Sequence, residues 1–370
     1  MSDKQVQKAG ANSQQIQAGT IVVNNNLGIT EERARAIYTE MSLKAISNNT
    51  VESFEKAKER IEKLEALVIP RVESIDKFFE SFSDPSFQVL LRKAQLTAAC
   101  TDREDDYKIL SELLVHRIEN RANIKKKASI TKAIEIIDQI DNDSLCAMTV
   151  LHSMKSFAPN SGIISEGLAT LAGFYEKLNL ENLPNDNLWM DNLSVLGAAT
   201  IIPFSRMRNF EEYIGEMLNG YVCVGIKKDS SEYQSALQKL NECRIHKSIL
   251  IDNELLDGFV RMPFTTEKEI PKLRLIKKEI VDGKLIDVDV PITESQLKCL
   301  SSIWDMYSKD VHLQAQVKAA FSGLFQKYEP IKRACNWWDS INLNVSLTSV
   351  GKVIAHTNAK SIDNSLPDLD

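Results

Sequence analysis

The sequence contains no run of about 18 consecutive apolar residues, the shortest length that would indicate a membrane-spanning helix. Its first eight residues, MSDKQVQK, also lack the apolar core of a secretory signal. We therefore expect a cytoplasmic protein that has no membrane contact.

Cysteine pairs at metal-binding or redox spacing are also missing. The six cysteines are far apart in the chain and none forms a CxxC motif. Most lie in apolar contexts, where a free thiol behaves as a small hydrophobic side chain. This pattern indicates a reduced, intracellular protein without structural disulfides.

The short motifs that identify many enzymes are absent too. We find no glycine-rich phosphate loop, no GxSxG elbow and no HExxH signature. Gly351 and Lys352 lack both the preceding glycine and the following hydroxyl residue of a P-loop. The sequence therefore indicates no catalytic residue, and we expect no cofactor and no bound metal.

The chain has little excess charge, and the excess is negative. A net charge of −6 and a pI near 5.6 disfavour broad binding to nucleic acid or anionic lipid. One basic cluster could contact phosphate, although it lacks the interleaved aromatic residues of a single-strand binder. Its members are Arg117, Arg121, Lys125, Lys126 and Lys127. The alternative is a polar loop preceding a helix that Ser129 caps.

Two groups of titratable residues deserve the same comparison of alternatives. Glu112, His116 and Glu119 share one helix face and could hold a metal. A solvated helix face, or an ion pair with Arg117 or Arg121, is the simpler interpretation. Several carboxylates crowd the start of the same helix, where the helix dipole favours acids without any acid–base role. They are Asp102, Glu104, Asp105 and Asp106. Four other histidines have no cysteine or carboxylate at ligand spacing: His152, His246, His312 and His356.

What the chain does have is helical periodicity. Apolar residues recur at three- and four-residue steps from Phe54 to Phe82, with a kink or break expected near Ile69 because Pro70 follows it. Asp84 and Pro85 then form a clear helix start. Further helices are predicted at about 106–120, 130–140, 144–156, 163–179, 187–201 and 209–218. Short connections between them favour antiparallel packing.

The pattern changes at Tyr221. Residues 221–226 are predicted to form a buried strand, and a hairpin is predicted around Asp282-Gly283, a pair suited to a type I′ turn. Other elements predicted here are a helix at 230–243 and weaker strands at 248–252 and 258–264. Thr293 and Gln296 form a capping box that starts a new helix. Later helices are predicted at 294–308, 311–327, 330–340 and 346–355.

These patterns together predict a mainly α fold, a multi-helix array with a small α+β module in the C-terminal half. The predicted divisions are a leader at 1–27, a helical domain at 28–218, a mixed domain at 219–360 and a disordered acidic tail at 361–370.

The leader has a strand-like pattern. Ser13 to Asn26 is rich in Gln, Asn and β-branched residues and has no obvious partner in the chain. Ile21, Val22, Val23 and Asn24 suit in-register stacking between copies. Three interpretations are open: a flexible tail, β-pairing within a homo-oligomer, and amyloid-type signalling to a partner protein that carries a similar motif.

Two resemblances concern this leader and the whole chain. Ile16-Gln17-Ala18-Gly19 resembles the core of RHIM-type amyloid signalling motifs, and similar N-terminal motifs occur in bacterial defence proteins. Most of the chain resembles an uncharacterised bacterial, mostly helical protein family with the same leader. The matching segments are 13–30, 87–95, 105–114 and 220–226. This resemblance implies a bacterial cytoplasmic protein and implies no activity.

We therefore expect a non-enzymatic assembly or interaction protein that self-associates through its leader. The resemblance of the leader to motifs of bacterial defence proteins implies a link to defence. The self-association residues are Ile16, Gln17, Ala18, Gly19, Ile21, Val22, Val23 and Asn24. One alternative is an enzyme whose site is assembled from separated residues around 220–292. The other is a nucleic-acid binder that uses the basic cluster at 117–127.

Overall fold

A computed structural model describes residues 30–46, 51–72, 81–120, 123–281 and 284–369. The leader, Arg121 and the turn at 282–283 lie outside these ranges. The described residues are predominantly helical, with short strands from Ala199 onward. The predicted mainly α fold class is therefore confirmed.

The first part of the described chain is a series of α-helices joined by short turns. They are α1 (Glu31–Ile46), α2 (Val51–Val72), α3 (Pro85–Cys100), α4 (Glu104–Glu119), α5 (Ile124–Ile136), α6 (Asn142–Ser156), α7 (Ile164–Lys177), α8 (Leu188–Val195) and α9 (Phe210–Met217). Asp84 caps α3 as the sequence predicts, and its carboxylate accepts a hydrogen bond from the Ser86 amide at 2.9 Å.

For helix α2 the sequence predicts a kink or a break near Ile69, and of these two the break is absent. The helix continues through Pro70 to Val72. Pro70 cannot donate to the carbonyl of Ala66, and both residues are exposed. Water can therefore bond the Ala66 carbonyl, which makes the proline tolerable within the helix.

Helix α5 begins earlier than predicted. The Asn123 side chain accepts a hydrogen bond from the Lys126 amide at 3.1 Å, so the helix starts at Ile124. The polar loop predicted before Ser129 was therefore wrong. Lys125, Lys126 and Lys127 lie in the first turns of α5, and Ser129 lies within the helix.

Helix α8 is shorter than the predicted helix at 187–201. Gly197 has a φ of +72°, and the Ala198 amide donates to the Leu193 carbonyl at 2.8 Å, an arrangement that ends the helix. The next residues form strand β1 (Ala199–Ile202), which pairs antiparallel with β7 (Asn344–Leu347) in register Ile201 to Val345.

The last predicted helix also changes at its start. Residues 346 and 347 belong to β7, and Thr348 then caps α14 (Ser349–Ile362). Residues 361–369, predicted to form a disordered tail, contact the helical body in the structure. Lys177 Nζ lies 2.8 Å from Asp363 Oδ2, and Lys126 Nζ donates to the Leu369 carbonyl at 3.2 Å.

The α+β module contains a three-stranded sheet with β4 (Phe259–Arg261) between β2 (Ile226–Lys227) and β3 (Ile251–Asp252). The buried strand predicted at 221–226 was wrong except at its last residue, Ile226. Gly225 has a φ of +79°, and a Cβ there would lie 2.1 Å from the Val260 carbonyl oxygen. The preceding chain is therefore a tight turn against β4 and not a strand.

The remaining elements follow the prediction closely. They are α10 (Ser231–Glu242), the hairpin strands β5 (Arg274–Val281) and β6 (Lys284–Pro291), α11 (Glu294–Trp304), α12 (Val311–Phe325) and α13 (Glu329–Ser340). Val281 pairs with Lys284, so the hairpin has the predicted two-residue connection. The capping box between Thr293 and Gln296 is present.

Apolar side chains form two principal cores. The larger core runs from Ala34 to Tyr221 and then takes in residues from Phe321 to Ala359. The smaller core includes Ile226 and Ile303 and belongs to the α+β module. The last helices thus return to the core of the first ones, and the module is inserted between them.

No helix in the described part of the chain is both long and apolar enough to cross a lipid bilayer.

Candidate functional site

The basic residues proposed for phosphate contact do not form one surface. Arg117 is buried on α4, and its guanidinium donates to Ser86 Oγ at 3.0 Å. On α5, Lys125 is exposed whereas Lys126 and Lys127 are partly buried. Successive helical residues point about 100° apart, which separates the three lysines.

Two of these lysines line a cavity of about 670 Å³ among the end of α4 and the starts of α5 and α14. Lys125 and Lys126 come from α5, Lys352 from α14 and His116 from α4. The starts of α5 and α14 meet where the hydroxyl oxygens of Ser129 and Ser349 are 2.9 Å apart. The cavity therefore combines lysine side chains with two positive helix ends.

The C-terminal tail forms one wall of this cavity. Asp368 and Leu369 line it, and Asp368 forms an ion pair with Lys360 that holds the pKa of the carboxyl below its ordinary value. Lys126 binds the Leu369 carbonyl at 3.2 Å. Lys126 and Lys360 are thus already engaged by the C-terminal tail, which weakens the case for a nucleic-acid surface.

The residues considered for a metal have other contacts. Glu112 forms an ion pair with Arg71. Of the two predicted partners, Arg117 instead donates to Ser86, and Arg121 lies outside the described residues. Burial lowers the pKa of His116, opposed by the charges of Glu119 and Glu112. Across the described ranges, no three His, Cys, Asp or Glu residues are grouped so as to hold a metal ion.

The acidic cluster at the start of α4 has one buried member. Asp106 is fully buried, accepts from Thr101 Oγ1 at 2.6 Å and lies 2.8 Å from Arg103 Nη2. Burial raises the pKa of Asp106, opposed by its bonds to Thr101 and Arg103. Glu104 and Asp105 are exposed. The buried carboxylate of Asp106 therefore stabilises the start of α4 through its contacts with Thr101 and Arg103.

Two histidines that the sequence separates meet in the structure. His152 Nε2 and His356 Nδ1 are 3.2 Å apart although the two residues are 204 positions apart in the sequence. Both are buried, and they join α6 to α14. Burial lowers the pKa of His152 to about 4. Sequence reasoning missed this pair because the only signal was two histidines on apolar helices, with no spacing to relate them.

Ser156 extends this pair to the surface. Its Oγ lies 3.2 Å from His152 Nδ1, so a hydroxyl, an imidazole and a second imidazole stand in line. Such an order is typical of a nucleophile, its base and an orienting group. Ser156 is the last residue of α6, however, where helix carbonyls disfavour a developing oxyanion. The lowered pKa also makes His152 a weak base near neutral pH, and so we interpret the pair as a structural link.

The module at 220–292, considered as an enzyme site, is held by a buried cation. Arg261 is fully buried and donates to the Gly162 carbonyl at 2.8 Å and to Glu254 Oε1 at 3.3 Å. Its guanidinium carbon lies 5.7 Å from the centre of the Tyr221 ring. Burial raises the pKa of Cys223 to about 12, which suppresses the reactive thiolate. These groups join the module to the helical body.

Four exposed apolar side chains lie on α8 and at the end of β1, two elements that contact each other. Leu188 and Val195 on α8 are 70% and 87% exposed, and Ile202 and Phe204 are 41% and 107% exposed. A surface of this kind is typical of a protein-interaction site. The sequence prediction missed it because a helix at 187–201 would have distributed these residues differently.

Together the fold and its surface define a mainly α-helical protein with an inserted α+β module. No curated protein and no solved structure matches the chain significantly. The model of one protein family, described as ":-like", matches residues 28–369, and the chain belongs to that family. The match includes all of the helical body and leaves residues 1–27 outside it.

Proposed function

We propose that this is a non-enzymatic, cytoplasmic assembly or interaction protein of bacteria that self-associates through residues 13–26 and acts in defence. The observation that carries the proposal is the position of the leader relative to the family match, which begins at residue 28. The leader is thus separate from the body that the family has in common. Its β-branched run at 21–23 suits pairing between chains.

Contacts within the body support a scaffold. Several buried polar groups hold elements together. They are Asp106 at the start of α4, the pair of His152 and His356 between α6 and α14, and Arg261 beneath the module. The alternatives have less support. Arg117 is buried and Lys126 is bound to the tail, so nucleic acid would meet a divided set of cations.

A proline substitution in the leader tests the proposal. Proline removes a backbone donor and fixes φ, so Val22→Pro should prevent β-pairing through the leader. The control is Gln7→Pro, which lies outside residues 13–26. By light scattering, the wild type and Gln7→Pro should have the same mass, a multiple of the 41.6 kDa chain mass. Val22→Pro should have the mass of a single chain, 41.6 kDa. A wild-type protein that is monomeric at all accessible concentrations would exclude the proposal.

A further inference from the structure

The two edges of the β1–β7 sheet differ. The Thr348 amide donates a hydrogen bond to the Ala198 carbonyl at 3.0 Å. Hydrogen-bonded and non-hydrogen-bonded residue pairs alternate along an antiparallel ladder. Ile201 and Val345 are therefore a non-hydrogen-bonded pair, and their backbone N–H and C=O groups point away from each other. On the β7 side, the Val345 carbonyl accepts from Lys155 Nζ at 3.1 Å. On the β1 side, no described residue bonds the backbone of Ile201. β1 therefore has the open edge.

An exposed aromatic residue follows this edge. Phe204 is 107% exposed and has a φ of +59°, a conformation that is strained for a bulky side chain. Strain of this kind concentrates at binding and switch sites. With Ile202, which is 41% exposed, Phe204 provides an apolar anchor beside an unpaired strand.

The leader has the matching chemistry. Residues 13–26 contain no charged side chain, and residues 199–204 contain none either. Two neutral, β-branched segments can pair without burying a charge. An extended peptide that adds to a sheet edge gains main-chain hydrogen bonds from the edge and side-chain contacts from the adjoining apolar surface.

Distance favours the leader of another copy. Seven peptide steps from Asn24 to Glu31 reach at most about 25 Å. Among the described residues, α1 packs mainly against α2 and α3, whereas the sheet packs against α8 and α14. The start of α1 and the edge of β1 therefore belong to different parts of the body, and a second copy can present its leader to β1 without this constraint.

We infer that residues 20–24 of one copy add to the open edge of β1 in a second copy, as a third strand beside β1 and β7, with Ile202 and Phe204 as the apolar anchor. This inference rests on the proposed self-association and names its acceptor. Donor and acceptor are different surfaces, so the contact is head to tail and generates a ring or a filament.

A peptide titration tests the acceptor. A fluorescent peptide of residues 13–26 is added to full-length Val22→Pro, whose own leader is disabled, and its anisotropy is measured. Adding Phe204→Asn should weaken binding at least tenfold, because Asn tolerates the positive φ but removes the aromatic anchor. The control is Val311→Asn, at a site on α12 that is 75% exposed, and it should leave binding unchanged.

The mass of the assembled protein separates the two proposals. Phe204→Asn in the wild-type background should reduce the mass to 41.6 kDa. Should Val22→Pro be monomeric while Phe204→Asn still assembles and binds the peptide, the acceptor is elsewhere and only this inference fails. A monomeric wild type removes the self-association proposal as well. A third outcome is a monomeric wild type together with peptide binding to Val22→Pro that Phe204→Asn abolishes. In that case the leader pairs with β1 of its own chain, and the inference that it pairs with a second copy is wrong.

Discussion

Burial determines whether His152 and His356 can take up a proton. His152 is 3% exposed and His356 is 2% exposed, and their rings share one short contact between α6 and α14. The low pKa of His152 means that the folded protein resists protonation there, whereas the unfolded chain does not. A side chain that could titrate near neutral pH is thereby held neutral in the core.

This contact predicts an acid-dependent stability. Between about 6.5 and about 4, the unfolded chain binds a proton at His152 that the folded chain does not. The free energy of unfolding should therefore fall as the pH falls through this window, by up to about 1.4 kcal/mol per pH unit from this residue. The contribution is complete above the unfolded pKa of 6.5. Urea unfolding across the window measures it.

The matched variants are His152→Gln and His312→Gln. The first removes the buried imidazole and should have the shallower dependence on pH, while the second changes an exposed residue on α12 and should follow the wild type. Equal pH slopes for His152→Gln and the wild type would contradict the role given to this pair.

At the scale of the elements, one close approach fixes the end of the fold. Gly351 lies in the first turn of α14, and a Cβ there would be 2.0 Å from the Ala198 carbonyl oxygen. That oxygen also accepts the amide of Thr348, which caps α14. Helix and strand are therefore packed backbone to backbone at this point.

Two glycine-to-alanine substitutions should have opposite effects. Gly351→Ala should destabilise the protein by about 1–3 kcal/mol, because the backbone must move to accommodate the added methyl group. Gly323→Ala, in α12 where a Cβ meets nothing within 4 Å, should stabilise it by about 0.5–1 kcal/mol. Chemical denaturation gives both values. A neutral Gly351→Ala would show that α14 and β1 are less closely packed than described.

At the scale of the whole molecule, the family match begins at residue 28 and covers the body, whereas residues 1–27 lie outside the match. The last helices of the body, α13 and α14, complete the core that α1 to α9 begin, and the α+β module lies between the two parts. Under the proposed self-association, this body would supply the surface to which the leader of another copy pairs. The open edge of β1 and the exposed Phe204 lie on that surface.

Assembly through the leader predicts a melting temperature that depends on protein concentration. Binding that requires a folded acceptor stabilises it by mass action, by roughly 2.7 kcal/mol at most for a hundredfold excess over the dissociation constant. The wild type and Gln7→Pro should melt at higher temperatures as their concentration rises, and Val22→Pro should not. Scanning fluorimetry over a hundredfold concentration range measures this. A concentration-independent melting temperature for the wild type would argue against a folded acceptor surface.

Local chemistry in the sequence determined much of this protein. Asp84 with Pro85, and Thr293 with Gln296, identify helix starts because each satisfies backbone amides within a few residues. The mainly α fold class and the hairpin at 282–283 follow from equally local patterns. Only the tertiary structure decided the pairing of β1 with β7, the turn before Ile226 and the meeting of His152 with His356. Each of these depends on groups brought together from distant parts of the chain. Burial lowers the pKa of His152, and close contact with β4 fixes the backbone at Gly225.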